Sequence, residues 1–159
     1  MNAIVAVYSD WGIGCCGTQP IVIPEDRAHF RNVTGSGTVI VGRKTLADFP
    51  GGKPLKNRRN IVITTQNIKI EDAEIARSPE NAAEIADNDA FVIGGGSVYN
   101  AMLGYCHRVY VTKIEAAPES DTFFPNLDKL PDWVCTDQGE AREHDGITYR
   151  FMVYERRQV

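Results

Sequence analysis

The stretch FVIGGGSVYNAML, residues 91–103, joins a short apolar run to three consecutive glycines and then to a helical pattern. The apolar run at residues 90–93 predicts a β-strand, and residues 97–103 predict a helix. Bare glycine backbone at a helix N-terminus presents N–H groups and the positive end of the helix dipole to an anion. A tight strand-to-helix turn without a ligand is the alternative, but three glycines exceed what such a turn needs. We therefore favour a phosphate site here.

Strand and helix patterns alternate along the rest of the chain. Strands are predicted at residues 3–8, 38–41, 60–64, 74–77, 90–93, 108–114, 133–138 and 147–155. Helices are predicted at residues 25–33, 44–49, 80–87 and 97–103, with Pro24, Pro79 and Ser78 as start signals. This alternation predicts an α/β fold with a mostly parallel sheet covered on both faces. The sequence HDG at residues 144–146 predicts an antiparallel hairpin joining the last strand to its predecessor.

The composition is that of a globular protein of one domain. The 159 residues are 43% hydrophobic and 24% charged, with a net charge of -4, which argues against a nucleic-acid partner. No apolar run approaches the roughly 20 residues needed to span a membrane. The cysteines are Cys15, Cys16, Cys106 and Cys135, and no histidine pairs with them at zinc spacing. We therefore expect reduced thiols, a cytoplasmic location and no metal site.

Residues 12–17, GIGCCG, spell the dinucleotide-binding pattern G-x-G-x-x-G after the first predicted strand. That pattern requires a helix directly after the glycines and an acidic residue after the next strand. Residues 18–24, TQPIVIP, contain two prolines and β-branched residues, which prevent a helix. The next predicted strand is followed by basic residues. We therefore predict a mobile surface loop here rather than a phosphate motif.

A second candidate phosphate site follows the strand at residues 38–41. Arg43, Lys44 and Thr45 fall at a helix start, where cations oppose the helix dipole and require an anion to compensate. A solvated basic turn is the alternative, and spacing alone favours it. Two phosphate-ready strand ends with basic residues suggest a dinucleotide with an extra phosphate, NADPH rather than NADH.

One helix face carries an acid among apolar residues. Asp26, Phe30 and Val33 lie at positions i, i+4 and i+7 of the helix predicted at residues 25–33. An acid beside apolar groups has a raised pKa, so it can exchange protons near neutral pH or bind a cationic heterocycle. An acid stabilised by the helix dipole is the alternative.

Two adjacent arginines, Arg58 and Arg59, precede the strand predicted at residues 60–64. They form either a clamp for a carboxylate or a solvated loop pair.

Taken together, these segments resemble the dihydrofolate reductases. The matching strings run through the whole chain in order: IVAV, GIG, IPEDRAHF, VIVGRKT, NIVIT, VIGGGSVY, VYVTKIEA and DTFFP. The resemblance implies one domain, residues 1–159, with an eight-stranded, mostly parallel mixed sheet, a C-terminal antiparallel hairpin and four helices. Residues 37–87, approximately, form its adenosine-binding subdomain. It also implies a monomer that reduces dihydrofolate to tetrahydrofolate with NADPH, supports one-carbon metabolism and thymidylate synthesis, and binds antifolate inhibitors.

The resemblance also assigns roles to individual residues. Asp26 would be the only ionisable group to touch the pterin, with Thr112 bracing it, and Arg58 would pair with the α-carboxylate of the folate glutamate. The implied substrate-binding residues are Ile4, Val5, Ala6, Asp26, Arg27, Phe30, Phe49, Leu55, Arg58, Ile93, Tyr99 and Thr112. The implied cofactor-binding residues are Ala6, Ile13, Gly14, Gly42, Arg43, Lys44, Thr45, Thr64, Thr65, Arg77, Ile93, Gly95, Gly96, Ser97, Val98, Tyr99 and Thr122. Arg43, Thr65 and Arg77 would face the ribose phosphate, the Gly94–Gly95 peptide would be cis, and residues 12–20 would close over the nicotinamide.

Three positions depart from the family pattern. Ile21 stands where the family usually has tryptophan, Gln19 replaces a residue that is often bulky and apolar, and Arg27 replaces one that is often apolar. We expect these changes to weaken the binding of diaminopyrimidine antifolates. Two alternatives remain open. The pyrimidine reductase of riboflavin synthesis shares the fold but should lack the Asp26/Phe30 face and Arg58, and a non-catalytic NADPH-binding module would bind the cofactor without turnover.

Overall fold

A computed structural model describes residues 1–15 and 18–157 of the chain. The helices within these ranges are α1 (Pro24–Thr34), α2 (Arg43–Ala47), α3 (Pro79–Ile85) and α4 (Gly96–Met102). The strands are β1 (Asn2–Val7), β2 (Gly12–Gly14), β3 (Thr38–Gly42), β4 (Arg59–Ile63), β5 (Glu74–Ala76), β6 (Phe91–Gly94), β7 (Arg108–Ile114), β8 (Thr122–Phe123), β9 (Trp133–Gln138), β10 (Arg142–His144) and β11 (Ile147–Arg156). Every predicted helix and strand is present, with ends shifted by at most two residues. No helix in the described ranges is long and apolar enough to cross a membrane.

The central sheet has eight strand positions, in the order β10–β11–β7–β1–β6–β3–β4–β5. β9 also pairs with β11, beyond the end of β10, so these two strands share the edge position and the sheet contains nine strands. The pairs from β7 to β5 are parallel, and β11 runs antiparallel to β7. The predicted mostly parallel sheet with an antiparallel C-terminal end is therefore confirmed.

The predicted hairpin lies at the expected turn, but its first strand is β10. Asp145 and Gly146 have φ values of 49° and 78°, the positive values that a two-residue type I′ turn requires. The predicted partner, the strand at residues 133–138, pairs with β11 farther along, at residues 152–156. β10 was not predicted because its three residues are all polar and therefore show no alternation of apolar and polar side chains.

Helices cover both faces of the sheet, as the alternating pattern predicted. Ala3, Val5 and Val7 of β1 pack in the core cluster that includes residues of α3 and α4. Ile4, between them, packs in a separate cluster with Leu46 of α2 and with half-buried residues of α1. Because successive side chains of a strand point to opposite faces, β1 contributes to both cores and lies between the two helix layers.

The glycine-rich loop is more ordered at its start than the sequence predicted. Gly12 and Gly14 are buried in β2, which pairs with β8, so the prediction of a surface loop is wrong for them. Both glycines permit a close approach: a Cβ on Gly12 would lie 2.2 Å from the Ser120 hydroxyl oxygen, and one on Gly14 would lie 2.8 Å from the Thr18 carbonyl oxygen. Residues 18–23 form no helix, as predicted. Cys16 and Gly17, which belong to the predicted loop, lie outside the described residues.

Candidate active site

Asp26 lies in the first turn of α1, and its side chain contacts β7 of the central sheet. The Thr112 hydroxyl on β7 donates a hydrogen bond of 2.5 Å to Asp26 Oδ1. Thr112 pairs in register with Ala6 on β1 and with Phe151 on β11, so three adjacent strands lie beneath this turn. The contact expected between the two side chains is present, while their catalytic role stays a prediction.

The surroundings of Asp26 favour its protonated form. Burial raises the pKa of the carboxyl, and the hydrogen bond from Thr112 and the charges of His29 and Arg27 offset that rise only in part. The net effect is a pKa above the ordinary value for aspartic acid. A carboxyl of this kind holds a proton closer to neutral pH and can supply it to a bound base.

His29 is a neighbour of this acid that the sequence analysis did not single out. It lies one helical turn after Asp26, and its ring stacks on Phe151 with a centroid distance of 4.0 Å and an interplanar angle of 18°. Burial lowers the pKa of the imidazole, Asp26 raises it and Arg142 lowers it further, with a net downward shift. His29 is therefore mostly neutral at pH 7, and its charge acts on Asp26 only at the lower pH at which the imidazole is protonated. The i, i+3 spacing from Asp26 was the available signal.

The residues predicted to line the pterin and benzoyl pockets fall into two groups. Ile4 and Ile93 are 6% and 9% exposed and share one core cluster, against which three half-buried predicted residues pack. Those three are Phe30, Phe49 and Leu55. Val5 and Tyr99 pack in the cluster on the opposite face of the sheet. The Tyr99 hydroxyl nevertheless donates a 2.7 Å hydrogen bond to the Ile4 carbonyl, so the two groups meet at β1.

A glycine cradle lies where β6 enters α4. The Gly94–Gly95 peptide is cis, as predicted. A Cβ on Gly95 would lie 2.6 Å from Thr45 Oγ1, and a Cβ on Gly96 would lie 2.3 Å from Thr122 Cγ2. Among the described residues, no side chain caps the N-terminus of α4 or that of α2, which begins after Gly42.

Other predicted cofactor residues surround this cradle. A Cβ on Gly96 would also lie 3.8 Å from Ile13, and one on Gly42 would lie 2.9 Å from Val98. Gly14 in β2 accepts a hydrogen bond from the amide of Asp121, beside Thr122. Ser97, in the first turn of α4, is exposed. The structure therefore brings most of the residues predicted for the nicotinamide and pyrophosphate to one place.

The residues predicted for the ribose phosphate follow neighbouring strands. β3 and β4 pair in parallel with Gly42 opposite Ile63, so Arg43 and Thr64 leave the sheet at the same edge. Arg77, after β5, donates a 2.5 Å hydrogen bond to the Gln66 carbonyl, and the Gln66 amide donates to Thr64 Oγ1. Lys44 and Thr65 are exposed. Arg43 itself lines a cavity of about 310 Å³ together with Lys69, and Arg77 is not among the residues that line this cavity.

The two adjacent arginines have different surroundings. Arg58 donates to Thr34 Oγ1 at 3.2 Å and to the Lys56 carbonyl at 3.0 Å, and it lines a cavity of about 610 Å³ together with Leu55. Arg59 is bound to Glu74 through two hydrogen bonds of 2.5 and 3.0 Å. The residue pattern left open whether the two arginines clamp a carboxylate or are solvated, and the family resemblance implied Arg58 for the carboxylate. In the structure Arg58 is the one that lines a cavity, and its binding role stays a prediction.

The three residues that depart from the family pattern lie just before α1 or in its first turn. Gln19 and Arg27 are exposed, and Ile21 is half-buried. Ile21 packs against the cluster that contains Tyr8 and Ile23. The position that the family fills with tryptophan therefore carries a smaller apolar side chain here.

Comparison with known proteins identifies the family. A family model described as dihydrofolate reductase matches residues 1–156. The dihydrofolate reductase of Staphylococcus haemolyticus is 36% identical, and the alignment covers 98% of this chain and 95% of that protein. The dihydrofolate reductase of Bacillus subtilis is 33% identical over 99% of this chain and 95% of its own length, and that of Mycobacterium tuberculosis (strain H37Rv) is 35% identical over 91% and 90%. The chain therefore belongs to the dihydrofolate reductase family.

Proposed function

We propose that this chain catalyses the NADPH-dependent reduction of 7,8-dihydrofolate to 5,6,7,8-tetrahydrofolate, and so supports one-carbon metabolism and thymidylate synthesis. Family membership implies a nicotinamide cofactor and a small-molecule substrate. The observation that carries the proposal is the Asp26–Thr112 pair, in which burial raises the pKa of the acid. The glycine cradle after β6 lies at the same carboxyl edge of the sheet as the end of β1.

The reaction adds a hydride and a proton across a carbon–nitrogen double bond of the pterin. A reduced nicotinamide, when bound, would supply the hydride. Asp26 binds the amino-pyrimidine edge of the pterin and favours protonation of the ring nitrogen, because its pKa lies above that of an ordinary aspartic acid. Thr112 fixes the orientation of the carboxyl through its hydrogen bond. Ile4, Phe30 and Ile93 exclude water and hold the pterin ring.

The residues present fit a nicotinamide dinucleotide. The cradle at Gly95 and Gly96 has no room for a Cβ, so its backbone lies close to Thr45 and Thr122. The first-turn amides of α2 and α4, which no side chain in the described part of the chain caps, suit the pyrophosphate. The part of the chain at residues 37–87 would hold the adenosine half, with Arg43, Thr65 and Arg77 at the ribose phosphate. We propose NADPH on this basis, and we propose that the chain acts as a monomer in the cytoplasm.

An absorbance assay tests the proposed function directly. Addition of dihydrofolate to the protein with NADPH should consume one NADPH per dihydrofolate reduced. Binding of NADPH without any such loss would instead support a non-catalytic module. Turnover of an aminopyrimidine intermediate of riboflavin synthesis in preference to dihydrofolate would support the pyrimidine reductase, although the presence of Asp26, Phe30 and Arg58 favours dihydrofolate.

Replacement of Arg77 should reduce the preference for NADPH over NADH. We expect Arg77→Gln to raise the KM for NADPH about tenfold and to leave the KM for NADH within twofold, because only NADPH carries a phosphate on the 2′-hydroxyl of its adenosine ribose. The measurement is the ratio of kcat/KM for the two cofactors. Arg31→Gln is a matched control, since Arg31 is an exposed arginine at the C-terminal end of α1. An unchanged ratio in Arg77→Gln would exclude Arg77 from phosphate binding.

The three unusual residues should weaken antifolate binding. We expect the inhibition constant of a diaminopyrimidine antifolate to be about tenfold higher than for an enzyme with the usual residues, because an exposed cation at Arg27 and the smaller Ile21 give less apolar contact. Ile21→Trp should recover part of the affinity and shift the pH profile of hydride transfer. An inhibition constant equal to that of a typical bacterial enzyme contradicts this expectation.

A further inference from the structure

Tyr8 binds the loop that precedes α1 through its hydroxyl group. The residue follows β1, its side chain is 2% exposed, and its ring packs with Ile23 and Tyr149. The hydroxyl accepts a 3.1 Å hydrogen bond from the Ile21 amide and donates a 3.3 Å hydrogen bond to the Ile21 carbonyl. A phenol can satisfy both groups because its oxygen donates and accepts at once. The backbone of Ile21 thus pairs with a side chain thirteen residues earlier.

The backbone of Tyr8 also holds the start of the same loop. Its amide donates to the Gly12 carbonyl at 2.9 Å, and its carbonyl accepts from the Trp11 amide at 2.8 Å. Tyr8 therefore contacts both the start of this loop, at Trp11 and Gly12, and its end, at Ile21. β2 and β8 anchor the first part of this segment a second time.

The position of residues 19–23 depends more heavily on the Tyr8 hydroxyl than the position of β2 does. Residues 19–23 form neither strand nor helix. They lead directly into Pro24 and the first turn of α1, which carries Asp26. The Ile21 side chain packs against the cluster that also contacts Ala6, and Ala6 is the register partner of Thr112. A shift of residues 19–23 would therefore change the positions of both Asp26 and Thr112.

We propose that Tyr8 is a positioning residue for hydride transfer: its hydroxyl fixes residues 19–23 against the sheet and thereby sets the place of the first turn of α1. The proposal rests on the function proposed above, because its kinetic effect is measured on dihydrofolate. Burial raises the pKa of Tyr8, so the hydroxyl stays protonated and able to donate throughout the neutral range. Phenylalanine keeps the ring contacts but leaves both Ile21 groups without this partner.

Tyr8→Phe should slow hydride transfer while preserving cofactor binding. We expect the single-turnover rate constant for NADPH oxidation to fall about tenfold and the Kd for NADPH to change less than twofold. Hydrogen exchange should become at least fivefold faster at the amides of residues 19–23, and exchange in β6 and β7 should not change. A general loss of stability would not slow the chemical step while leaving the cofactor affinity unchanged, so this result distinguishes a positioning role from destabilisation.

Tyr154→Phe is the matched control. Tyr154 is 1% exposed, and its hydroxyl donates a 2.8 Å hydrogen bond to Asp128 rather than to the loop. This variant loses one buried hydroxyl and keeps its ring, so we expect a similar fall in Tm with hydride transfer within twofold of the parent. Equal loss of rate in the two variants, or an unchanged rate in Tyr8→Phe, overturns the proposal.

The two proposals can fail separately. A parent protein that does not oxidise NADPH with dihydrofolate refutes the proposed function, and this result needs no variant. The exchange measurement needs no activity: unchanged exchange at residues 19–23 in Tyr8→Phe shows that the hydroxyl does not fix the loop, and so overturns the role of Tyr8 whatever the parent catalyses.

Discussion

Asp26→Asn is expected to lower kcat/KM for dihydrofolate at pH 7 by about 10²–10⁴-fold, the range found for loss of a general acid or base. The amide has nearly the same shape as the carboxyl, and its oxygen can still accept the hydrogen bond from Thr112. It can neither supply a proton nor balance the charge of a protonated pterin. NADPH affinity should stay within twofold of the parent, because the cradle lies on β6 and α4. Steady-state kinetics and NADPH titration make the two measurements.

Glu25→Gln is the control for this variant. Glu25 is the preceding residue in the same first turn, is exposed, and has a 3.4 Å contact with His144. It shares the helix dipole with Asp26 but not the burial, so we expect its removal to change kcat/KM by less than threefold. Retention of more than a third of the parent activity by Asp26→Asn at pH 7 would remove Asp26 from its assigned role.

Asp26→Asn should also have a larger free energy of unfolding than the parent at neutral pH. The folded pKa of Asp26 is raised above its unfolded value of about 3.9, chiefly by burial, so the native state binds the proton more tightly than the unfolded state. The contribution of Asp26 to stability is therefore fully present below the unfolded pKa and is lost as pH rises through the folded pKa. Asparagine has no such dependence. Urea unfolding should show equal stabilities near pH 3 and a gap that favours Asp26→Asn above the folded pKa.

Local sequence signals were enough to predict the helices and strands. Pro24 at the start of α1 and Ser78 at the start of α3 act within one turn, and Ser78 indeed accepts the hydrogen bond from the Asn81 amide. The short strands β2, β8 and β10 were missed. Each has only two or three residues, and none shows an alternating apolar pattern. β2 and β8 are held by pairing with each other, with Gly12 opposite Phe123, and β10 is held by the hairpin that it forms with β11.

The contacts of the candidate site depend on the fold, so sequence patterns give them only in part. The helix spacing placed Asp26 on an apolar face, but the bond from Thr112 joins residues 86 positions apart. The stack of His29 on Phe151 and the bonds of Tyr8 to Ile21 have the same origin. Resemblance to a known family supplied Thr112, whereas the ring stack of His29 and the hydroxyl contacts of Tyr8 became visible only in the structure.

Arg58→Gln is expected to raise the KM for dihydrofolate about 100-fold with kcat changed less than threefold. A hydrogen bond to a charged group contributes about 1.5–3 kcal/mol, and each 1.4 kcal/mol is a factor of ten in affinity. Arg58 is proposed to bind the glutamate α-carboxylate, far from the reacting atoms, so its loss weakens ground state and transition state equally. Its contacts with Thr34 and the Lys56 carbonyl use Nε and Nη1, and Nη2 is the atom proposed to bind the carboxylate.

Arg59→Gln separates this role from a general effect of lost charge. Arg59 is the next residue in the chain, has the same charge, and is bound to Glu74 on β5. Its ion pair is at the surface and contributes at most about 1 kcal/mol to stability, so we expect an unchanged KM for dihydrofolate. A dihydropteroate substrate, which lacks the glutamate, should react equally well with the parent and with Arg58→Gln. If both arginine variants raise the KM to the same extent, or if Arg58→Gln impairs dihydropteroate as strongly as dihydrofolate, then Arg58 does not bind the carboxylate.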